Sequence, residues 1–296
     1  MPRGRMSRRL ATAIGFGAVL LWATLAVLTT ATAPVPPLQL NAVCFAIGGT
    51  IGAVWAWATG ALPTLRRVPL AAYAFGTVGL FGYHALYFAA LRLAAPFDAE
   101  AEAGLIAYLW PLLIVLLSGL LPEERIRAGH LLGAGTAGLG AALILARDGF
   151  SANAGALPAY GLALLCAVTW SVYSVGSRRL GAVPTAAVTV TCLASAALSL
   201  VLHLTLEETV WPDTAVGWAA LAALGAGPVG AAFFLWDVGV KRGDIQLLGT
   251  ASYAAPLLST LILVLAGVAA ASGALLAATV LIAGGAALAA RAGGRR

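Results

Sequence analysis

Three hydrogen-bonding aromatic side chains lie close together in the apolar stretch 82-GYHALYF-88. On a helix, Tyr83 and Tyr87 are about 40° apart and His84 lies about 60° beyond Tyr87, so the three share one arc. Two phenols and an imidazole can exchange hydrogen bonds and stack on a flat ring, and His84 can carry a proton. In lipid, each would leave a polar group without a partner. We therefore expect the arc to face a wet cavity or, for His84, to make a hydrogen bond to a neighbouring helix.

Further aromatic residues lie deep in other apolar stretches, where the interfacial belt that accounts for most membrane Trp explains them poorly. The candidates for contact with a substrate are Tyr83, His84, Tyr87, Tyr108, Trp110, Trp170 and Tyr173, followed by Phe233, Trp236 and Tyr253 from the second half of the chain. Such rings favour a flat apolar ligand by about 0.5–1.5 kcal/mol per contact and can hold a cation over their faces. This chemistry suits an aromatic amino acid or an apolar amine. It does not suit a sugar phosphate, because no Lys or Arg lies in the middle of these stretches.

Three prolines, Pro111, Pro228 and Pro256, lie within apolar stretches that hold these rings. Proline kinks a helix and frees a backbone carbonyl, which in a cavity can accept a hydrogen bond from an ammonium group. We therefore expect all three to be hinge or kink points. The string 225-GAGPVG-230 also fits G-x-G-x-x-G. It has no strand before it, so it indicates close helix packing or a hinge and not a dinucleotide site.

Asp237 is the only carboxylate placed plausibly within an apolar stretch, near the end of one in 236-WDVGVK-241. Lys241 lies one helical turn further on, so an ion pair along the helix is the simpler interpretation. The alternative is a site for a proton or for the ammonium group of a substrate.

The composition shows what kind of scaffold positions these residues. The chain of 296 residues is 61% hydrophobic and 9% charged, with a mean hydropathy of +0.96, whereas soluble proteins are about 25% charged. Its net charge of +6 lies in short basic clusters between apolar runs, as in membrane proteins and unlike a nucleic-acid-binding surface. Cys44, Cys166 and Cys192 all fall inside apolar runs and indicate small buried side chains. The sequence lacks H-E-x-x-H and G-x-S-x-G, so we expect no enzyme, cofactor or metal.

Windows of about 20 residues predict ten transmembrane helices. They cover residues 10–30, 38–58, 69–91, 101–121, 128–146, 157–177, 184–205, 214–238, 245–266 and 272–290. Nothing alternates as a β-barrel strand would, so the predicted fold class is an all-α integral membrane protein. The first span is too long for the core of a signal peptide, and we expect it to be retained.

The basic residues predict the orientation of the spans. With the N-terminus in the cytoplasm, 15 of the 17 Lys and Arg fall on the cytoplasmic side. They are Arg3, Arg5, Arg8, Arg9, Arg66, Arg67, Arg125, Arg127, Arg178, Arg179, Lys241, Arg242, Arg291, Arg295 and Arg296. Only Arg92 and Arg147 fall outside, together with the acidic strings 98-DAEAE-102 and 207-EE-208. This asymmetry predicts a multi-pass inner-membrane protein with both termini in the cytoplasm.

The two halves of the chain resemble one another. The string 107-AYLWPLL-113 matches 252-SYAAPLL-258 at an offset of 145 residues, and Trp22 matches Trp170 at 148. Each half holds five predicted spans, the halves being residues 1–148 and 149–296. Because five is odd, the halves must be inverted relative to one another in the membrane. Secondary transporters use this plan, with the substrate site near the midplane between the repeats. An internally duplicated structural protein is the alternative.

The chain resembles the drug/metabolite transporter superfamily of the EamA type over nearly its whole length. The resemblance lies in ten spans in two halves, a deep Trp in the first and sixth spans, and proline in the fourth and ninth, with 108-YLWP-111 its most specific part. The family's acidic residue after the fourth span is present as Glu123 and Glu124. Its counterpart after the ninth span is missing from 266-AGVAAASG-273. The resemblance implies an exporter with a central cavity walled by spans 1, 3, 4, 6, 8 and 9.

Together, the resemblance and the deep aromatic residues predict an exporter of aromatic amino acids and related small apolar metabolites. Its partners would be this small-molecule substrate and the lipid bilayer, and not nucleic acid. Two alternatives stay open: an exporter of another metabolite or drug, and a receptor that binds without transport. Small-residue faces such as 129-GHLLG-133 and 133-GAGTAGLG-140 are expected to pack helices within the bundle or between copies, which leaves a homo-oligomer open. Proton-driven and passive transport are equally compatible with the sequence.

Overall fold

The structure, a computed structural model, describes residues 6–145, 153–265 and 273–293. Within these ranges the chain forms helices, turns and loops and no strand. The predicted boundary between the halves, at residues 148 and 149, lies outside the described residues. So do Arg3, Arg5, Arg147, Arg295 and Arg296.

The described residues form sixteen α-helices. They are α1 (Arg8–Trp22), α2 (Leu25–Ala31), α3 (Pro37–Ala58), α4 (Leu62–Leu65), α5 (Leu70–Thr77), α6 (Tyr83–Ala94), α7 (Glu100–Ala107), α8 (Trp110–Ser118), α9 (Ala128–Leu145), α10 (Leu157–Arg179), α11 (Ala187–Leu206), α12 (Ala215–Ala226), α13 (Ala232–Arg242), α14 (Ile245–Ala251), α15 (Ala254–Leu265) and α16 (Gly273–Gly293). Two π-helical segments, Val78–Gly82 and Gly227–Ala231, join α5 to α6 and α12 to α13.

Eight helical stretches in the described part of the chain are long and apolar enough to cross a membrane. They are Arg8–Ala31, Pro37–Ala58, Leu70–Phe97, Ala154–Arg179, Ala187–Leu206, Ala215–Arg242, Ile245–Ile262 and Leu275–Gly293. A shorter apolar stretch covers Glu102–Ser118, and α9 packs along α16. The predicted all-α membrane fold is confirmed.

Five of the predicted spans are interrupted helices. The breaks fall at residues 23–24 between α1 and α2, at 108–109 between α7 and α8, and at 252–253 between α14 and α15. The two π-helical segments interrupt the spans predicted at 69–91 and 214–238. Hydropathy windows miss such breaks because they register how apolar a stretch is and not how its backbone is hydrogen-bonded. Each break leaves backbone groups outside the regular helical pattern, so they can bond to other partners.

The interruptions recur at a nearly fixed spacing along the chain. The π-helical segment that begins at Gly227 starts 149 residues after the one at Val78, and α13 starts 149 residues after α6. Tyr253, at the break in the second half, lies 145 residues after Tyr108, at the break in the first. The repeat found in the sequence therefore extends to the irregular backbone.

Glycine allows helices from the two halves to pack at short distance. A Cβ atom added at Gly48 of α3 would lie 2.6 Å from the Cα atom of Gly230. One added at Gly133 of α9 would lie 2.5 Å from the carbonyl oxygen of Gly285 in α16. The small-residue face that begins at residue 129 is thus used for packing inside the bundle.

We expect Gly133→Ala to destabilise the protein by about 1–3 kcal/mol, because the added methyl group forces α9 away from α16. Gly135→Ala is the matched control, since a Cβ atom there meets nothing within 4 Å. It should be neutral or stabilising by up to about 1 kcal/mol, because alanine favours helix more than glycine does. Thermal unfolding of the two purified variants in detergent measures the difference. Equal losses of stability would contradict the packing described.

Ion pairs mark one end of the bundle, which we call the Glu124 end. The carboxylate of Glu124 accepts hydrogen bonds from Arg178 at 2.7 Å and from Arg8 at 3.1 Å. Arg8 also pairs with Asp244 at 3.1 Å. The cluster ties the start of α1 and the end of α10 to the segment after α8 and the turn before α14.

A second carboxylate marks the opposite end, which we call the Glu207 end. Glu207 accepts hydrogen bonds from the backbone N–H groups of Leu38 and Gln39 in the first turn of α3. It also pairs with His203 at 3.0 Å and with Arg92 at 3.4 Å. A carboxylate is favoured here because the first N–H groups of a helix lack partners within the helix. The sequence predicted Arg92 and Glu207 on one side of the membrane and Arg8 and Arg178 on the other. In the structure the first two lie at the Glu207 end of the bundle and the other two at the Glu124 end.

Candidate functional site

Aromatic rings from five helices meet in the middle of the bundle, around Trp170 of α10. The ring centroid of Trp170 lies 5.2–6.2 Å from those of Trp22, Tyr83, Trp110, Tyr173, Phe233 and Trp236. Most of these pairs are tilted or edge-on, the arrangement that aromatic rings prefer to a face-to-face sandwich. The cluster joins α1, α6, α8, α10 and α13, and so contains elements from both halves of the chain.

Tyr83, His84 and Tyr87, which the spacing predicted to share one helical arc, lie along one side of this cluster. The rings of Tyr83 and Tyr87 are parallel, with centroids 6.3 Å apart. His84 Nδ1 lies 2.7 Å from the carbonyl oxygen of Leu80, in the π-helical segment just before α6. A carbonyl can only accept, so Nδ1 carries the hydrogen, and Nε2 of the neutral ring is an acceptor. This bond of His84 stays within its own helix, in contrast to the bond to a neighbouring helix that was one of the two expectations.

Two tyrosines bring the interrupted helices into contact. The hydroxyl of Tyr108, at the break between α7 and α8, donates to the carbonyl oxygen of Ser252, at the break between α14 and α15. The rings of Tyr108 and Tyr253 lie 6.1 Å apart. The two breaks therefore contact each other directly. The ring of Trp110 lies beside them, 5.9 Å from that of Tyr108.

Each of the three prolines lies at an irregular point of the backbone. Pro111 is in the first turn of α8 and Pro256 is close to the start of α15. Pro228 lies in the second π-helical segment, where its carbonyl oxygen accepts a hydrogen bond from the indole of Trp22 at 3.1 Å. The indole of Trp236 donates to Ser174 at 3.0 Å. Buried indoles normally find such partners, which here bind α1 to the second π-helical segment and α10 to α13.

Burial differs sharply between α6 and the matching helix α13. In α6 only Ala90 and Ala94 are buried, so its tyrosines and His84 keep part of their surface exposed. In α13, Phe233, Trp236 and Asp237 are among the buried side chains. The cluster is thus more open beside α6, which ends towards Glu207, than beside α13, which ends towards Glu124.

All ten side chains proposed from the sequence lie in this continuous set of ring contacts. The sequence-based candidates omitted Trp22, Phe45, Phe75 and Phe88, whose rings also belong to it. Trp22 could have been included through its match to Trp170 in the repeat. Phe45 is stacked on Phe233, with ring centroids 5.5 Å apart. The only signal for it in the sequence was its position deep in the second predicted span.

The ion pair predicted between Asp237 and Lys241 is confirmed, at 2.7 Å between Oδ1 and Nζ. A cavity of about 280 Å³ lies elsewhere, at the Glu124 end beside Arg125, Arg127 and His130. That cavity has charged and polar walls, whereas the aromatic cluster has rings and hydroxyl groups. The cluster is therefore the better candidate for an apolar substrate.

A helical membrane bundle with interrupted helices around a central cluster of side chains is typical of secondary membrane transporters. The model of the EamA-like transporter family matches the chain twice, at residues 9–146 and 157–291. The chain belongs to this family.

The relatives of the chain carry a more specific name. It is 54% identical, over 268 residues, to the aromatic amino acid exporter YddG of Ancylobacter novellus, covering 89% of this chain and 91% of that protein. The aromatic amino acid exporter YddG of Escherichia coli is 24% identical over 265 residues, covering 87% and 88%. A solved crystal structure with 52% sequence identity superposes with a TM-score of 0.91, covering 98% of this chain and 100% of that one.

Proposed function

We propose that this protein exports aromatic amino acids and related small apolar metabolites from the cytoplasm by alternating access. The observation that carries the proposal is the contrast between α6 and α13. One central cluster of rings is partly exposed beside α6, while ion pairs close the bundle beyond α13. The name of the relative at 54% identity supports the choice of substrate.

The proposed architecture has ten membrane spans in two inverted halves, residues 1–148 and 149–296. The spans are α1–α2, α3, α5–α6, α7–α8, α9, α10, α11, α12–α13, α14–α15 and α16. The double match of the family model and the recurrence of the π-helical segments support this division. In such repeats the substrate binds between the halves near the midplane.

The proposed orientation in the inner membrane places both termini and the Glu124 end in the cytoplasm. The cluster of basic residues that includes Arg8 and Arg178 supports this side, because Lys and Arg collect in cytoplasmic loops. The state described here would then be open towards the outside and closed towards the cytoplasm. Transport requires a second state, in which the ion pairs of Glu124 separate and the cluster opens beside α13.

The chemistry of the cluster fits an aromatic side chain better than a charged or strongly hydrophilic one. Indole or phenyl rings can pack among Tyr83, Trp170 and Phe233, each contact contributing about 0.5–1.5 kcal/mol. The Nε2 atom of His84 offers an acceptor for an indole N–H or an ammonium group. Backbone groups at the helix breaks can bind the charged groups of an amino acid, as interrupted helices do in transporters.

A transport assay with the reconstituted full-length protein tests this proposal. We expect proteoliposomes preloaded with unlabelled tryptophan to accumulate tritiated tryptophan, phenylalanine and tyrosine well above protein-free liposomes. Lysine, glutamate and a sugar phosphate should not be accumulated. If only other solutes are carried, the protein is an exporter with a different substrate. If nothing is carried but tryptophan binds, it is a receptor.

A further inference from the structure

A small cavity beside the Asp237–Lys241 ion pair is lined by both aromatic and charged side chains. Its volume is about 30 Å³, and its lining includes Phe75, Tyr173, Ser177, Asp237 and Lys241. That volume holds one or two water molecules and is too small for an amino acid. It continues the central cluster, because the ring of Tyr173 lies 6.0 Å from that of Phe75 and 5.2 Å from that of Trp170.

The ion pair in this cavity is almost fully shielded from solvent. The side chains of Lys241 and Asp237 are 6% and 4% exposed, and Nζ lies 2.7 Å from Oδ1. The second carboxylate oxygen accepts a hydrogen bond from Thr185 at 2.7 Å, and Lys241 donates to the carbonyl oxygen of Val183 at 3.0 Å. Two opposite charges kept out of water are costly unless each has a partner, so a ligand that displaces one charge must replace it.

The repeat indicates when this pair becomes accessible. At the offset of 149 residues that relates α6 to α13, Phe88 corresponds to Asp237 and Arg92 to Lys241. Phe88 lies on the partly exposed wall of α6, 6.5 Å from the ring of His84. Inverted repeats exchange their conformations between the two states of a transporter, so α13 should form the exposed wall when the cytoplasmic side opens.

Resting on the function proposed above, we propose that Asp237 and Lys241 form a loading subsite for the zwitterionic group of an amino acid at the cytoplasmic face. In the inward-open state the substrate ammonium replaces Lys241 at the carboxylate of Asp237, and the substrate carboxylate binds the ammonium of Lys241. Each charge exchanges one charged partner for another, so no charge is left unpaired. Phe75 and Tyr173 then lie beside the aromatic side chain.

The subsite has no equivalent on the outer wall, so the two faces of the transporter should differ in their affinity for the substrate. Phe88 replaces the carboxylate there, and Arg92 pairs with Glu207 at the far end of α6. The zwitterionic group is therefore held by side-chain charges on the cytoplasmic side and not at the matching outer position. This asymmetry should lower the concentration of substrate needed for half-maximal loading from the cytoplasm.

Competition at the cytoplasmic face of the full-length protein tests the subsite. Everted membrane vesicles expose that face, and the readout is the concentration of a competitor that halves the uptake of tritiated tryptophan. The competitors are tryptophan, tryptamine, which lacks the carboxylate, and indole-3-propionate, which lacks the ammonium group. We expect Asp237→Asn to raise this half-maximal concentration about tenfold for tryptamine and to leave it unchanged for indole-3-propionate. Lys241→Gln should raise it about tenfold for indole-3-propionate and leave it unchanged for tryptamine.

Two further variants separate the subsite from a purely structural role. The double variant Asp237→Asn with Lys241→Gln keeps neutral hydrogen-bonding groups in place. It should weaken the competition by tryptophan at the cytoplasmic face and leave the competition by tryptophan in right-side-out vesicles unchanged. Arg92→Gln, the matched control on the outer wall, should leave cytoplasmic competition unchanged. Equal weakening of all three competitors by each single variant, or no change, overturns the subsite. Absence of wild-type uptake overturns the proposed function and the subsite with it.

Discussion

Trp170→Ala is expected to reduce tryptophan flux by at least about 100-fold, which corresponds to about 2.7 kcal/mol. Six rings of the protein surround Trp170. Its removal takes away its own contact with a bound aromatic substrate, worth about 0.5–1.5 kcal/mol, and displaces the neighbouring rings that would also contact the substrate. It also leaves a cavity at the junction of α1, α6, α8 and α13, and a buried Trp→Ala change costs about 3–5 kcal/mol of stability. Initial rates of exchange in proteoliposomes, scaled to the amount of folded protein, measure the effect.

Two variants show whether the loss reflects the substrate site. Trp170→Phe keeps an apolar ring and should retain a measurable part of the flux. Trp218→Ala removes a Trp that is 48% exposed and stacked on Trp211, away from the cluster, and should transport as the wild type does. Normal flux in folded Trp170→Ala would show that the substrate does not pass the aromatic cluster.

Glu124→Gln is expected to open the Glu124 end of the bundle, which is the cytoplasmic end in the proposed orientation. The Glu124 side chain is fully buried and bonds to Arg178, which is 13% exposed, so the change leaves a largely buried guanidinium without its carboxylate. Breaking such a pair costs about 3–5 kcal/mol, and this cost falls on the state described here, in which the pair exists. Amide hydrogen exchange followed by mass spectrometry should show residues 236–250 exchanging at least about tenfold faster.

Glu123→Gln is the matched control, because Glu123 is the neighbouring residue and is exposed beside the larger cavity. It should leave exchange in residues 236–250 unchanged. Peptides at the Glu207 end, around Leu38, should exchange no faster in either variant. Equal effects of the two substitutions would mean that the ion pairs of Glu124 do not hold the Glu124 end of the bundle closed.

Much of the cluster could be predicted because lipid limits where polar aromatic residues can lie. Tyr83, His84 and Tyr87 share a helical arc in an apolar run, and a lipid-facing arc would have stranded their hydrogen-bonding groups. The match of Trp22 to Trp170 and of Tyr108 to Tyr253 added the second half. These inferences needed only helical geometry and the repeat.

The interruptions of the helices could be predicted less well. Proline marked the neighbourhood of three of them, yet the break after Trp22 and the π-helical segment Val78–Gly82 contain no proline. Only the structure shows the hydrogen bonds at these two interruptions. The indole of Trp22 donates to the carbonyl oxygen of Pro228, and His84 donates to that of Leu80. The length of an apolar run contains no information about these hydrogen-bond partners, whether they are distant in sequence, as Pro228 is from Trp22, or four residues away, as Leu80 is from His84.

A structure of the full-length protein with bound tryptophan tests the central claim most directly, that the substrate is held by the mid-bundle cluster. We predict the indole ring between Tyr83 and Trp170, with ring centroids about 4.5–7 Å from both. Its amino and carboxylate groups should lie near the helix breaks at Tyr108 and Tyr253. Tryptophan bound instead at the charged cavity beside Arg125, with the aromatic rings packed as they are here, would contradict the account.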